Sequence, residues 1–243
     1  QMAEVWLLVY GADRDPHYLR AADDAIAFLK AVQVMEERRK NSELKAAQDL
    51  QKSMLPKEYP KREDLEIHAF IRASTEVGGD YYDFFEQEDG SLYVVCGDAT
   101  GHGTTSGMMV SITKAGLNGI DPKMPNLILE QLNKVIKRVD LGVLRMSLNM
   151  VKFDHDKMYL ASAAMPPMYH FVAKTSLVEE IQQINLPLGG LKNETFDLIT
   201  RSFESGDVLV QLSDGIPEAP NLEGEMFDYD ALAAIIQQHA ASS

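Results

Sequence analysis

This sequence predicts an α+β fold: a layered αββα sandwich of antiparallel sheets flanked by helices, preceded by a long N-terminal helix. Three observations carry that prediction. The stretch from His17 to Leu55 holds neither Gly nor Pro. Beyond Pro60 come short apolar runs punctuated by Gly and Asp, the texture of antiparallel strands and hairpins. Between those runs lie two stretches with helical periodicity. At 243 residues the chain is long enough to bury a sizeable core in one large domain plus an appendage. The expected division is a remnant of an upstream segment at 1–16, a linker helix at 17–56 and a main domain at 57–243.

The opening QMAEVWLLVYG reads as a short strand belonging to something upstream; it lacks the basic flank and cleavage site of a signal peptide. The next run is rich in Ala, Leu, Glu, Lys, Arg and Gln, which favour helix, and Pro56 and Pro60 stop it. Phe28, Val32 and Met35 repeat with coiled-coil spacing, as do Ala47, Leu50 and Met54. The wholly polar Glu36–Glu43 separates the two groups, and they are out of frame by one residue. A helix that pairs at its ends to form a dimer, solvated or hinged in the middle, is one reading; an exposed connector is the other. Leu65–Arg72 alternates like a half-buried strand, and Ser91–Gly97 is a strand running into GDATGHG. Helices are expected at Thr104–Asn118 and Pro125–Val139, the latter with Leu127, Leu132, Val135 and Val139 on its apolar face. Strands follow at Arg145–Phe153, Lys157–Ser162, Met168–Val172, Leu177–Ile181, Phe196–Phe203 and Asp207–Leu212, with a turn at DHDK. A last helix covers about Tyr229–His239.

Composition removes several function classes. A net charge of −14 and no Lys/Arg stripe argue against nucleic acid as a partner. No apolar run approaches the roughly 18 residues of a membrane span. The single cysteine, Cys96, excludes a disulfide framework, fits a reducing cytoplasmic compartment and reads as a buried strand residue.

Three motifs each place an Asp beside Gly near a strand end: Asp80 in VGGDYYDFF, Asp98 in GDATGHG and Asp214 in LSDG. A sheet can aim such side chains while glycine lets ligand or backbone approach. Carboxylates with carbonyls are the ligand set of Mg²⁺ or Mn²⁺, and no Cys/His cluster suggests zinc. Two such ions about 3.5–4 Å apart can activate water and clamp a phosphoryl group. Taken singly, each Asp reads more readily as a turn or cap residue than as a ligand. Asp83 is equally readable as a support for the site or as a surface residue. His102 reads as part of a Gly-His-Gly turn, Thr100 and Thr104 as helix caps, and His68, His155 and His170 as structural.

VGGDYYDFF, GDATGHG, LPLGG and GDVLVQLSDGIPEA, together with the lead-in LKAAQDLQKSMLP, resemble the SpoIIE/RsbU-like branch of the PPM serine/threonine phosphatases from about Leu44 to Leu232. ASAAMPP is similar to that branch's AGHPP-type loop, with Met165 in place of His. The resemblance implies that Asp98 bridges two ions, that the Ala99 carbonyl and Asp80 serve one of them, and that Asp214 serves the other. It implies a metal-activated water as nucleophile and no covalent phosphoenzyme. It further implies phosphoserine or phosphothreonine on a protein as substrate, a STAS-domain anti-sigma-factor antagonist in a partner-switching pathway, with an upstream sensor signalling through the linker helix of a homodimer. The branch carries a further metal Asp in a late DD-[IM]-T segment, and this sequence ends before one. Asp228 and Asp230 lie in FDYDAL and are poor replacements. The domain is therefore expected to be truncated or to have lost that ligand, and a pseudophosphatase acting as a binding module is the alternative. GGDYYDF shares only GGD with a diguanylate cyclase turn, and GHGTTSG lacks the spacing of a nucleotide-binding glycine loop.

Overall fold

The computed structural model describes residues 16–71 and 77–240. The expected upstream strand lies outside them, as does Arg72. The described chain falls into two compact units, one ending at Gln48 and a body beginning at Asp49. Helix α1, Pro16–Met54, opens on a proline whose fixed φ suits a first helical turn. It continues unbroken through Glu36–Glu43, since those residues are strong helix formers even without a core to face. The polar middle is solvated, not hinged. Phe28 and Met35 are 68% and 69% exposed.

In the body, a five-stranded antiparallel sheet has the order β1-β2-β3-β4-β7: Asp80–Glu86, Leu92–Ala99, Met146–Asp154, Lys157–Ala163 and Ile199–Ser202. A three-stranded sheet has the order β6-β5-β8: Leu177–Ile181, Met168–Val172 and Val208–Val210. Helices α2 (Thr104–Asn118) and α3 (Pro125–Val139) cover the outer face of the first sheet, burying Met109, Leu129 and Leu132 against Val95, Leu148 and Met150. Val151, Met158 and Leu160 meet Met168 and Ile181 between the sheets. Helix α4, Tyr229–Ala240, lays Leu232 and Ile236 on Tyr169 and Leu212 of the second sheet's outer side. The layers are therefore α, β, β, α, as the sequence predicts.

Several elements differ from expectation. Residues 65–71 alternate in burial but pair with no strand; Tyr59 holds them instead, its hydroxyl donating to the Ala69 carbonyl at 2.7 Å and its ring meeting Phe84 edge-on. Period-two burial marks an extended chain on a surface and does not require a ladder. β1 was not expected as a strand. β7 and β8 are shorter than Phe196–Phe203 and Asp207–Leu212. On α3 the buried face is Ile128, Leu129, Leu132 and Ile136, while Leu127 and Val139 are exposed. The DHDK hairpin forms, with His155 taking the positive φ.

Candidate metal centre

Asp80 opens β1 and Asp98 is the penultimate residue of β2, and the antiparallel register sets them directly opposite each other. Directly opposed residues carry Cβ atoms about 5 Å apart, where two like charges are destabilising. Asp214 is exposed in the loop after β8, its carbonyl accepting from the Glu218 amide at 2.9 Å. Only Asp98 thus sits at a strand end; Asp80 stands at a strand start and Asp214 beyond one.

The electrostatics of the trio are those of a site lacking its counter-charge. Among the described residues, no Lys, Arg or His lies within ion-pair distance of Asp80, Asp98 or Asp214. Burial, then the charges of Asp80 and Asp214, push the Asp98 carboxyl up to about 7, although the Ala99 amide pulls the other way. Burial also raises Asp80, with Asp214 adding to it and the Ser213 hydroxyl opposing. A cation would relieve all of these at once.

The backbone supplies a further donor. The Ala99 amide donates to the Gly79 carbonyl at 3.0 Å, and the Gly103 amide to the Val77 carbonyl at 3.1 Å, so the GDATGHG loop is tied to VGGD. A Cβ at residue 79 would lie 2.5 Å from the Ala99 carbonyl oxygen and 2.6 Å from Asp98 Oδ1. Two oxygens therefore border one small space that only glycine leaves open. Carboxylates, a carbonyl and no nitrogen or sulfur donor form the chemistry of a hard divalent cation. Among the described residues no three His, Cys, Asp or Glu side chains gather round one point.

The other expected residues sort clearly. Asp83 is buried on the opposite face of β1, accepting from Lys114 Nζ at 2.7 Å, the Tyr81 hydroxyl at 2.6 Å and the Phe84 amide at 3.0 Å. It is neither a surface residue nor a neighbour of the cation space; it ties β1 to α2. His102 is exposed between Gly101 and Gly103, both at positive φ, so the turn reading holds. Thr100 and Thr104 do not cap α2, whose N-cap is Gly103 without a side-chain bond; Thr100 Oγ1 instead accepts from the Arg145 amide at 2.9 Å. His68 and His155 pair with the exposed Glu66 and with Asp154, and buried His170 meets Asp207 at 3.2 Å. Cys96 faces the same side as Asp98 and is only partly covered, yet burial and the two aspartates push its thiol up to about 12. Met165 is buried.

Three contributors escaped sequence reasoning. The Ser213 hydroxyl lowers the Asp80 carboxyl against the effect of burial; its place beside Asp214 in LSDG was the available signal. Gln51, near the end of α1, donates from Nε2 to the Gly78 carbonyl at 2.6 Å and accepts from the Gly78 amide at 3.0 Å. No local pattern signals that contact across 27 residues. Tyr82 lines a cleft of about 910 Å³ that runs from Asp80 and Ser213 out to residues 216–227. A smaller hollow of about 310 Å³, lined by Phe85, Tyr93 and Leu117 among others, lies at the far end of β1 and β2 and holds none of the three aspartates.

The family model described as Stage II sporulation protein E (SpoIIE) matches residues 88–243, a span that includes Asp98, Ala99 and Asp214 and begins after Asp80. The Phosphoserine phosphatase RsbU of Bacillus subtilis (strain 168) is 25% identical over 206 residues, 83% of this chain and 61% of that protein. This chain therefore spans less than two thirds of that relative's length. The SiaA-PP2C domain of Pseudomonas aeruginosa shares the fold at a TM-score of 0.70 and 18% identity, covering 85% of each chain. RsbX in complex with magnesium shares it at a TM-score of 0.53 and 15% identity, covering 69% of this chain and 74% of that one.

Proposed function

The chain belongs to the SpoIIE family, and from that premise we propose that it is a divalent-cation-dependent protein phosphatase acting on phosphoserine or phosphothreonine. The observation that carries the proposal is the placement of Asp80 directly across the ladder from Asp98 with, among the described residues, no Lys, Arg or His within ion-pair distance of either. A cation between two such carboxylates removes their repulsion at neutral pH. Asp98 would bridge two ions, Asp80 and the Ala99 carbonyl would hold one, and Asp214 the other. Mg²⁺ or Mn²⁺ fits the oxygen donors, and the fold relative RsbX with magnesium supports that choice. Bound there, the ions would supply an activated water and neutralise charge on the phosphoryl oxygens.

The chain's own residues hold the geometry. The opposed strands fix the two carboxylates, Gly79 keeps the oxygen-bordered space open, and the Ser213 hydroxyl orients Asp80. The cysteine, its thiol pushed up to about 12, is no nucleophile.

Two finer readings belong to the same proposal. The substrate is a regulatory phosphoprotein, a STAS-domain anti-sigma-factor antagonist by family resemblance. Control enters through α1: Gln51 grips both backbone groups of Gly78, two residues from Asp80, so a change in the helix can shift that ligand. The exposed Phe28 and Met35 support self-association through α1 under an upstream sensor.

The test is phosphate release from a phosphorylated STAS-domain protein with added Mn²⁺. Turnover that needs the ion and is lost in Asp98→Asn supports the proposal. Turnover that survives the substitution removes the bridging role, and no turnover at all favours a pseudophosphatase.

A further inference from the structure

We propose that the cleft beside Asp80 is a docking groove for apolar residues flanking the phosphorylated side chain, so that the protein selects substrates by an apolar flank and rejects an acidic one. This rests on the phosphatase reading and adds the substrate's chemistry to it.

Two separate pieces of chain wall the groove. The extended segment 65–71 contributes Phe70 and Ile71, the stretch 216–227 contributes Ile216, Met226 and Phe227, and Tyr82 and Leu212 also line it. Phe70 is 86% exposed, Met226 65% and Ile216 51%. Large apolar side chains left open round a single hollow mark a surface that another molecule covers. The hollow reaches the candidate cation site at Asp80, which lines it together with Ser213. A phosphoserine reaching the carboxylates therefore brings its chain neighbours between these walls.

The second wall is built before any partner arrives. Residues 217–228 fold back as a hairpin: the Phe227 amide donates to the Ala219 carbonyl at 3.0 Å and the Asn221 amide to the Glu225 carbonyl at 2.8 Å. Asn221 Oδ1 closes the tip, accepting from the amides of Glu223 and Glu225, both at 2.9 Å. A preformed wall spends little ordering entropy on binding.

Charge decides which flank fits. Among the described residues the cleft's lining contains no Lys or Arg, and its carboxylates are Asp80 and Glu225. Substrate phosphate would then be met by the cations of the proposed site. Asp or Glu beside the phosphoserine would meet Glu225 and a chain whose net charge is −14. Leu, Ile or Val there would cover Phe70 and Met226.

The experiment uses the full chain with Mn²⁺ and phosphoserine peptides alike except for Leu/Ile or Asp/Glu beside the phosphoserine. The wild type is expected to favour the apolar peptide in kcat/KM by about tenfold or more, the factor for covering one large apolar side chain. The double substitution Phe70→Ser with Met226→Ser brings that ratio within about threefold of unity. Phe70→Leu with Met226→Leu keeps it. Because the readout is a ratio within one protein preparation, loss of folded enzyme cancels. Equal rates on both peptides in the wild type, or an unchanged ratio in the serine variant, overturns the proposal. So does a fall in oligomeric state in the serine variant, which assigns the groove to a second copy of the chain. Should the wild type turn over neither peptide, fluorescence anisotropy with the unphosphorylated apolar peptide decides. Binding lost in the serine variant keeps the groove while the phosphatase reading falls; no binding to the wild type removes both.

Discussion

Asp80 and Asp83 lie three residues apart on one strand and live in opposite worlds. Asp83 faces the helices, buried and fully partnered by Lys114, the Tyr81 hydroxyl and a backbone amide. Asp80 faces the cleft, opposite another carboxylate, near the Ser213 hydroxyl and, among the described residues, without a Lys, Arg or His partner. An odd spacing on a strand sends two like side chains to opposite faces, and the faces give them different work. On the helix side the protein supplies the counter-charge itself and gains a strut. On the cleft side the described residues supply no such partner, which is the condition the proposed cation site needs. Burial and the neighbouring Asp83 push the Tyr81 hydroxyl up, so it stays a donor within the strut.

The comparison breaks most readily on activity. Asp98→Asn should lower cation-dependent phosphate release by about a thousandfold, the scale of several kcal/mol of charge stabilisation, while Asp83→Asn should leave the rate per folded molecule near wild type. A steady-state assay on active-site-normalised protein reads both. If the two substitutions cost equal activity, the division between faces is wrong.

Stability should show the reverse order. Asp83→Ala strands a largely covered Lys114 and the Tyr81 hydroxyl, and should cost about 2–4 kcal/mol in urea unfolding. Asp98→Asn should stabilise the cation-free protein, raising Tm by about 2–4 °C for each kcal/mol of repulsion removed.

The pH dependence sharpens that contrast. The Asp98 carboxyl is raised in the folded state to about 7, so the fold holds a proton that the unfolded chain releases near the ordinary carboxyl value. Below both values it costs nothing; the penalty grows as pH rises from about 4 to 7 and is constant above. The Tm difference between cation-free wild type and Asp98→Asn should therefore widen across that window, then level off. A saturating divalent cation should close it at neutral pH.

The smallest effect concerns Cys96, on the same face as Asp98. Its thiol is pushed up to about 12, so maleimide labelling of the native protein at neutral pH should run about a hundredfold or more slower than after unfolding. Cys96→Ser should change turnover by no more than about twofold, the scale of a few tenths of a kcal/mol.

Much of this was legible in the residues. The two central helices and the hairpin at His155 follow from period and turn chemistry, which act within a few neighbours. The motifs around Asp80, Asp98 and Asp214 were visible because glycine beside a carboxylate is a local signal. The β1 strand was missed because DYYDFFE mixes acid and aromatic on both faces, and neither face reads as apolar. Residues 65–71 misled in the opposite way, alternating without joining a sheet.

By itself, then, the sequence determined the layered α+β class and the hard-oxygen chemistry of the candidate ligands. Those depend on residue type and short-range spacing. Only the tertiary structure decided that Asp80 opposes Asp98, that Asp83 belongs to Lys114, and that Gln51 grips Gly78. It also decided that residues 70 and 226 frame one groove. Each of these joins residues distant along the chain or on different strands, and such pairs are chosen by ladder register and by which face of a sheet is buried.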